Sequence, residues 1–187
     1  MLHGIAHGFH IGFNHGTQQC KYTQSNMSSA IQNPGPVDEY IDTELKAGWI
    51  VGPFKPEEIP AAQVSRFGVI PKRDQPGRWH LILDLSSSQN RRQELCSLKY
   101  ASMDDAVGII QEMGAGTLLA KVDLEHAYRN IPIHQDDRLL LAMRWRGKLY
   151  LDTVLPFGLR SAPKILPSLQ KRICYFDNCI SHQNCNR

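Results

Sequence analysis

Asp123 closes the run TLLAKVDL, residues 117–124, in which apolar residues prevail until the carboxylate is reached. Such a run suits a strand buried on both faces, and an acid at its tip offers two hard oxygens, to a divalent cation or to the start of a turn. Upstream, Lys72 and Arg73 stand where an apolar run gives way to Asp74, Pro76 and Gly77, so these bases face solvent or an anionic ligand. They belong to a wider asymmetry. Residues 36–58 hold six acids and two bases, whereas 66–92 hold Arg66, Lys72, Arg73, Arg78, Arg91 and Arg92 against Asp74 and Asp84. Two further clusters carry metal-ligating types: His3, His7, His10 and His15, with no Cys or carboxylate interleaved, and Cys174, Cys179, His182 and Cys185, whose spacing matches no standard zinc pattern. The first reads as part of a glycine-rich arm and the second as a tail rather than as metal sites.

The elements that must position these groups follow from periodicity. Residues 1–33, with Gly at 4, 8, 12 and 16, cannot hold a stable helix unaided. From Pro36 the pattern changes: Val37, Tyr40, Ile41 and Leu45 recur at helical spacing, Lys46 follows, and Gly48 stops the helix. SRFGVIPK and RWHLILDL are strand-like runs around RDQPG, predicting an antiparallel hairpin with Trp79, Leu81 and Leu83 on its buried face. Ser102 and Asp105 form a capping-box variant ahead of Ala106, Ile109, Ile110 and Met113, predicting a helix over 103–113 ended by Gly114. Strands over about 139–146 and 148–154 meet at Arg146-Gly147. Helix, hairpin, helix, strand and hairpin in that order give an α+β class.

With 187 residues and a formal charge of +3, from 21 Lys and Arg against 18 Asp and Glu, the chain is sized for one domain and is too weakly basic overall to name a polyanionic partner by charge alone. The longest apolar run, Leu139 to Met143, is far too short to cross a bilayer, and no membrane partner is expected. The first 16 residues lack the apolar stretch of a signal peptide, and five Cys is not a secreted disulfide framework, so reduced thiols and an intracellular setting, cytoplasm or nucleus, are expected.

The most specific signals are KVDLEHAYRNIPIHQDDRLLLAMRW and, after the second hairpin, VLPFGLRSAP. The first contains D-L-x-x-A-Y-x-x-I-P, which resembles the first catalytic motif of reverse transcriptases; L-P-F-G-L-x-S-A-P resembles their second, in the right order with a hairpin between. VIPKRDQPGRWHLILDLS is similar to the fingers hairpin of the same enzymes. VDEYIDTELKAGWIVGPF is similar to the preceding segment in retrotransposon polymerases, especially tyrosine-recombinase (DIRS-like) elements. The likeness spans about residues 34–165, between an N-terminal arm over 1–33 and a tail over 166–187.

The resemblance implies the fingers and part of the palm of a right-hand polymerase fold, working in the intact family on an RNA template, a DNA primer and dNTPs with two Mg²⁺ ions. It implies that Asp123 and the carbonyl of Leu124 are metal ligands. Tyr128 matches the aromatic that excludes a 2′-hydroxyl, with a buried core tyrosine as the alternative. Phe157 and Gly158 match the nucleotide-pocket segment, with a plain turn as the alternative. Lys72 and Arg73 match the bases that hold the triphosphate, against a merely solvated face. His80 stands where the family usually has Arg, which weakens that grip.

The likeness fades from Leu166. The family's third motif, Tyr-x-Asp-Asp, has only a partial echo in Tyr175-Phe176-Asp177-Asn178, as though a frame change, splice or truncation had intervened. The expectation is a polymerase fragment that does not polymerise by itself, or else a non-catalytic nucleic-acid-binding remnant of a decayed element.

Overall fold

A computed structural model describes residues 2–12, 25–86, 102–116, 118 and 123–166. Residues 117 and 119–122, most of the strand expected before Asp123, lie outside that set, as do the C-terminal Cys/His cluster and all but the first residue of the expected tail.

The expected central helix is α3, Pro34–Lys46, two residues longer at its start than its sequence signals suggest (α1, Leu2–His7, and α2, Ser28–Gln32, are introduced below). Pro34 opens it, where a missing N–H costs nothing. Val37, Ile41 and Glu44 share one buried face at helical spacing, and Gly48, at φ +73°, lets the chain leave the helix end. That face packs on a mixed five-stranded sheet of order β1-β5-β4-β2-β3. Its strands are β1, Ile50–Phe54; β2, Val64–Pro71; β3, Trp79–Asp84; β4, Ala142–Trp145; and β5, Lys148–Asp152. β2 and β3 form the expected antiparallel hairpin, with Phe67 opposite Leu83 and Ile70 opposite His80. β4 and β5 turn at Arg146 and Gly147, both with positive φ, as a two-residue hairpin requires. β4 lies parallel to β2, with Val64 opposite Ala142.

Residues 139–141 depart from expectation: they close a 3₁₀ stretch, Gln135–Leu141, instead of opening β4. Three consecutive leucines carry no alternation to separate strand from helix, and the turn following His134, whose ring accepts from the Asp136 N–H, sets the local winding.

The N-terminal arm is helical where it meets the body, through α1 and α2. Tertiary packing supplies what its glycines take away. Phe9 bridges to Ile133, Ile11 is fully buried among Ile131, Ile133, Leu141 and Leu155, and the Ile11 N–H donates to the buried Asp137 carboxylate over 2.9 Å. Asn26 ties the sheet together, accepting from the Phe67 N–H and donating to the Arg144 carbonyl, each over 2.9 Å. A second core, beneath α2 and α3, gathers Ala30, Val37, Ile41, Phe67, Val69, Met143 and Trp145. Complete burial of the larger of these, such as Val37, Phe67 and Met143, contributes roughly 1.5–3 kcal/mol each.

α4, Met103–Met113, has the expected bounds and its full capping box: Ser102 Oγ accepts from the Asp105 N–H, and the Asp105 carboxylate accepts from the Ser102 N–H. Its apolar residues Val107, Ile109, Ile110 and Met113 are exposed with respect to the described residues. No helix among these residues is long and apolar enough to cross a membrane.

Candidate functional site: a cavity between hairpin, 3₁₀ turn and loop

A cavity of about 690 Å³ opens where β3, α3, the 3₁₀ turn Ala127–Asn130 and the loop after β5 converge. His80, Tyr128, Phe157 and Gly158, four residues singled out in the sequence, line it together, although 78 positions separate the first from the last. Their placement has local causes. β-Pleating puts Trp79, Leu81 and Leu83 against the core under α3, leaving His80 exposed. His126, at φ +51°, turns the chain into the 3₁₀ segment, and the Arg129 N–H closes that turn on the His126 carbonyl at 2.7 Å. Tyr128 is half-buried, leaning on the Ile131–Leu155 core, so it is both a packed ring and a cavity wall. Phe157 is 82% exposed and stands edge-on to Tyr128, centroids 6.2 Å apart. Gly158 has φ +89°, and a Cβ there would meet open space; its backbone angle, rather than a close neighbour, is what calls for glycine.

The cavity floor holds an arrangement whose partners the sequence did not single out. Arg129, 12% exposed, donates from Nη1 to Asp152 Oδ1 and from Nη2 to the Tyr40 hydroxyl, each over 2.5 Å. Its Nη2 also lies 2.8 Å from Glu44 Oε2, an ion pair without hydrogen-bond alignment. Two buried carboxylates thus share one guanidinium. Burial, opposed in part by Arg129, pushes the Asp152 carboxyl up to about 6. Glu44 is raised by the same desolvation, and burial raises the Tyr40 phenol. Burial works against the Arg129 charge, but Asp152, Tyr40 and Glu44 outweigh it and raise its pKa. Arg129 stays charged, and the cost of burial falls on the acids, whose neutral forms it favours. The signal for this cluster was faint: Tyr40 and Glu44 are four apart on one helix face, and Arg129 interrupts an apolar run.

The other expected residues lie elsewhere. Asp123 and Leu124 are exposed and do not line the cavity. A carboxylate and a backbone carbonyl are donors that suit Mg²⁺, fitting part of a ligand set; among the described residues no three His, Cys, Asp or Glu side chains converge as a metal site. Lys72 lines a separate cavity with Tyr40, Arg78 and Trp79, and Arg73 is exposed on the hairpin turn. His10 and His134 stack at 4.0 Å beside Asp137, whereas His3 and His7 form a separate ring pair at 4.5 Å.

No protein-family model matches the chain. It is 29% identical over 87 residues to the Pro-Pol polyprotein of feline foamy virus, a match spanning 46% of this chain and 7% of the polyprotein. The crystal structure of prototype foamy virus protease-reverse transcriptase superposes with a TM-score of 0.58 at 21% identity, covering 84% of this chain and 19% of that one. The foamy viral protease-reverse transcriptase in complex with an RNA/DNA hybrid gives the same figures. A form of that enzyme in complex with double-stranded DNA has a TM-score of 0.56 at 21% identity, covering 25% of its chain. The fold is reverse-transcriptase-like. This α+β arrangement therefore corresponds to a small part of the foamy-virus proteins it matches.

Proposed function

We propose that this chain is the fingers and part of the palm of a retroelement RNA-directed DNA polymerase, of the tyrosine-recombinase (DIRS-like) kind, and that its cavity takes the incoming deoxynucleotide. One observation carries the reading: His80, Tyr128, Phe157 and Gly158, which the resemblance assigns to a nucleotide pocket, come from three separate segments and line one cavity. The complexes of foamy viral protease-reverse transcriptase with RNA/DNA hybrid and with double-stranded DNA support an RNA template and DNA primer as partners.

In this reading the Tyr128 ring occupies the space a 2′-hydroxyl would need, and Phe157 offers an accessible aromatic face beside it. Lys72 and Arg73 attract phosphate from the hairpin turn, and His80 grips it less firmly than a guanidinium would. Asp123 and the Leu124 carbonyl would hold Mg²⁺, completed by nucleotide phosphates and by carboxylates beyond those described here. When bound, the metal pair stabilises the attacking and leaving oxygens of phosphoryl transfer.

The 187 residues contain no Tyr-x-Asp-Asp string, so the polypeptide tested by itself is expected to bind an RNA/DNA hybrid without extending it. A chimera that appends an intact third motif and thumb after Pro163 is expected to extend a primer on RNA with dNTPs and Mg²⁺, and to lose this with Asp123→Asn. A chimera that neither binds hybrid nor extends would defeat the reading. Hybrid binding without extension by the chimera would instead favour a non-catalytic nucleic-acid-binding role.

A further inference from the structure

The buried cluster at the cavity floor has a consequence for selectivity. Tyr128 can act as a steric wall only if its ring is fixed to within about half an ångström, the tolerance that discrimination by shape demands. Yet it rides on a 3₁₀ turn of four residues entered through a left-handed residue, His126, and so short a turn has little stability of its own. Two anchors follow the ring in the chain: Arg129, the very next residue, and Ile131, which is buried in the core. Its guanidinium reaches Asp152 on β5, and Tyr40 and Glu44 on α3. The cluster therefore clamps the turn to the sheet and to the helix packed over the hairpin that carries His80.

We propose that Arg129 is a positioning residue that sets deoxy-over-ribonucleotide selectivity by holding Tyr128 against the cavity, through simultaneous contacts to Asp152, Tyr40 and Glu44. This rests on the nucleotide reading of the cavity. The planar fork matters to the geometry, because its separate Nη1 and Nη2 donors reach Asp152 and Tyr40 in fixed directions, whereas an ammonium is a compact charge on a flexible stem whose three donors radiate from one nitrogen. Arg129→Lys keeps the charge and loses the clamp.

The test is competitive binding of dATP and ATP, each with Mg²⁺, to the full chain and its variants, with melting temperatures recorded in parallel. The wild type is expected to prefer dATP by about tenfold or more. Tyr128→Ala defines the preference left without the ring, and Arg129→Lys is expected to fall most of the way towards it. Asp38→Asn is the stability control: it weakens an exposed pair with Arg146 and a hydrogen bond from Trp145, none of which lines the cavity or contacts Arg129, and it is expected to lower the melting temperature with the preference intact. A folded Arg129→Lys that retains the wild-type preference overturns the proposal while leaving the nucleotide reading standing. So does an equal loss in Asp38→Asn at matched melting temperature, since selectivity would then track stability. If Arg129→Lys does not fold, Tyr40→Phe decides, because it removes one acceptor and leaves both carboxylates; a partial loss of preference supports the clamp and full preference overturns it. A wild type with no preference for dATP overturns this proposal and the nucleotide reading together.

Discussion

The ring of Phe157 stands edge-on to that of Tyr128, with centroids 6.2 Å apart and planes at 62°, and it is the more exposed of the two. Tyr128 leans on the core and cannot be removed without cost, whereas Phe157 touches little that folding needs. Phe157→Ala should therefore change stability by no more than about 0.5 kcal/mol while lowering dATP affinity about tenfold. A thermal melt and a nucleotide titration on the same sample check both halves, and an unchanged affinity would remove Phe157 from the binding wall.

Asp152 makes stability depend on pH with a definite sign. Its folded-state pKa, about 6, lies above the ordinary 3.8, so the folded chain holds a proton that the unfolded chain releases earlier. The stability that Asp152 contributes is complete below the ordinary value and is lost as pH rises through about 6. Glu44, also raised, acts in the same direction, while Asp38 and Asp84, lowered by their Arg and Ser partners, act in the opposite one. Asp152→Asn is neutral throughout and isolates this contribution. Relative to wild type, its melting temperature should improve between about pH 4 and pH 7.5. Parallel melting curves at every pH would show that the carboxyl is not strained by burial.

Local signals were legible where a residue's own chemistry decides its structure. The Ser102–Asp105 box and Gly114 bound α4, and the Arg146-Gly147 pair marks the β4–β5 turn, because caps and positive-φ turns are encoded within a few positions. The Leu139–Leu141 run was not legible, since three adjacent leucines bury equally well in a strand or a 3₁₀ turn. The cavity was read only in part. His80, Tyr128, Phe157 and Gly158 were visible through motif strings, but Glu44 and Asp152 are 85 and 23 positions from Arg129, and nothing in their neighbourhoods says that they share a partner. Such convergence is a property of the packing of α3 on the sheet, which spacing alone does not specify.

Gly8 tests the docking of the N-terminal arm. Its φ is +88°, and an added Cβ would sit 2.5 Å from the Ile133 carbonyl carbon, a backbone atom that cannot swing aside. Gly12 also has a positive φ, +72°, but a Cβ there meets nothing. Gly12→Ala should cost only backbone strain, about 1–2 kcal/mol. Gly8→Ala adds a clash that prises Phe9 and Ile11 from the core, and loss of a buried side chain of that size costs about 2–5 kcal/mol. The measurements are thermal melts and the rate of proteolysis near residue 12; equal costs for the two variants would show that the arm's seat tolerates displacement.

The hairpin bases give the last prediction. Arg66 is already committed, its Nε donating to Asp84 over 2.8 Å, so it is a poor candidate for phosphate. Lys72 and Arg73 lie beyond the paired part of the hairpin, where the Lys72 N–H closes the turn on the Arg78 carbonyl at 2.9 Å and the side chains project from a fixed base. Each phosphate neutralised releases condensed counterions, so hybrid affinity should fall with salt along a line whose slope counts those contacts. Lys72→Ala with Arg73→Ala should make that slope shallower by about 0.7 to 0.9 per residue removed. Weaker binding at a single salt concentration would not suffice, since a damaged hairpin also weakens binding; only a change of slope reports lost phosphate contacts. A double variant with weaker binding and an unchanged slope would place the nucleic-acid footprint on another surface.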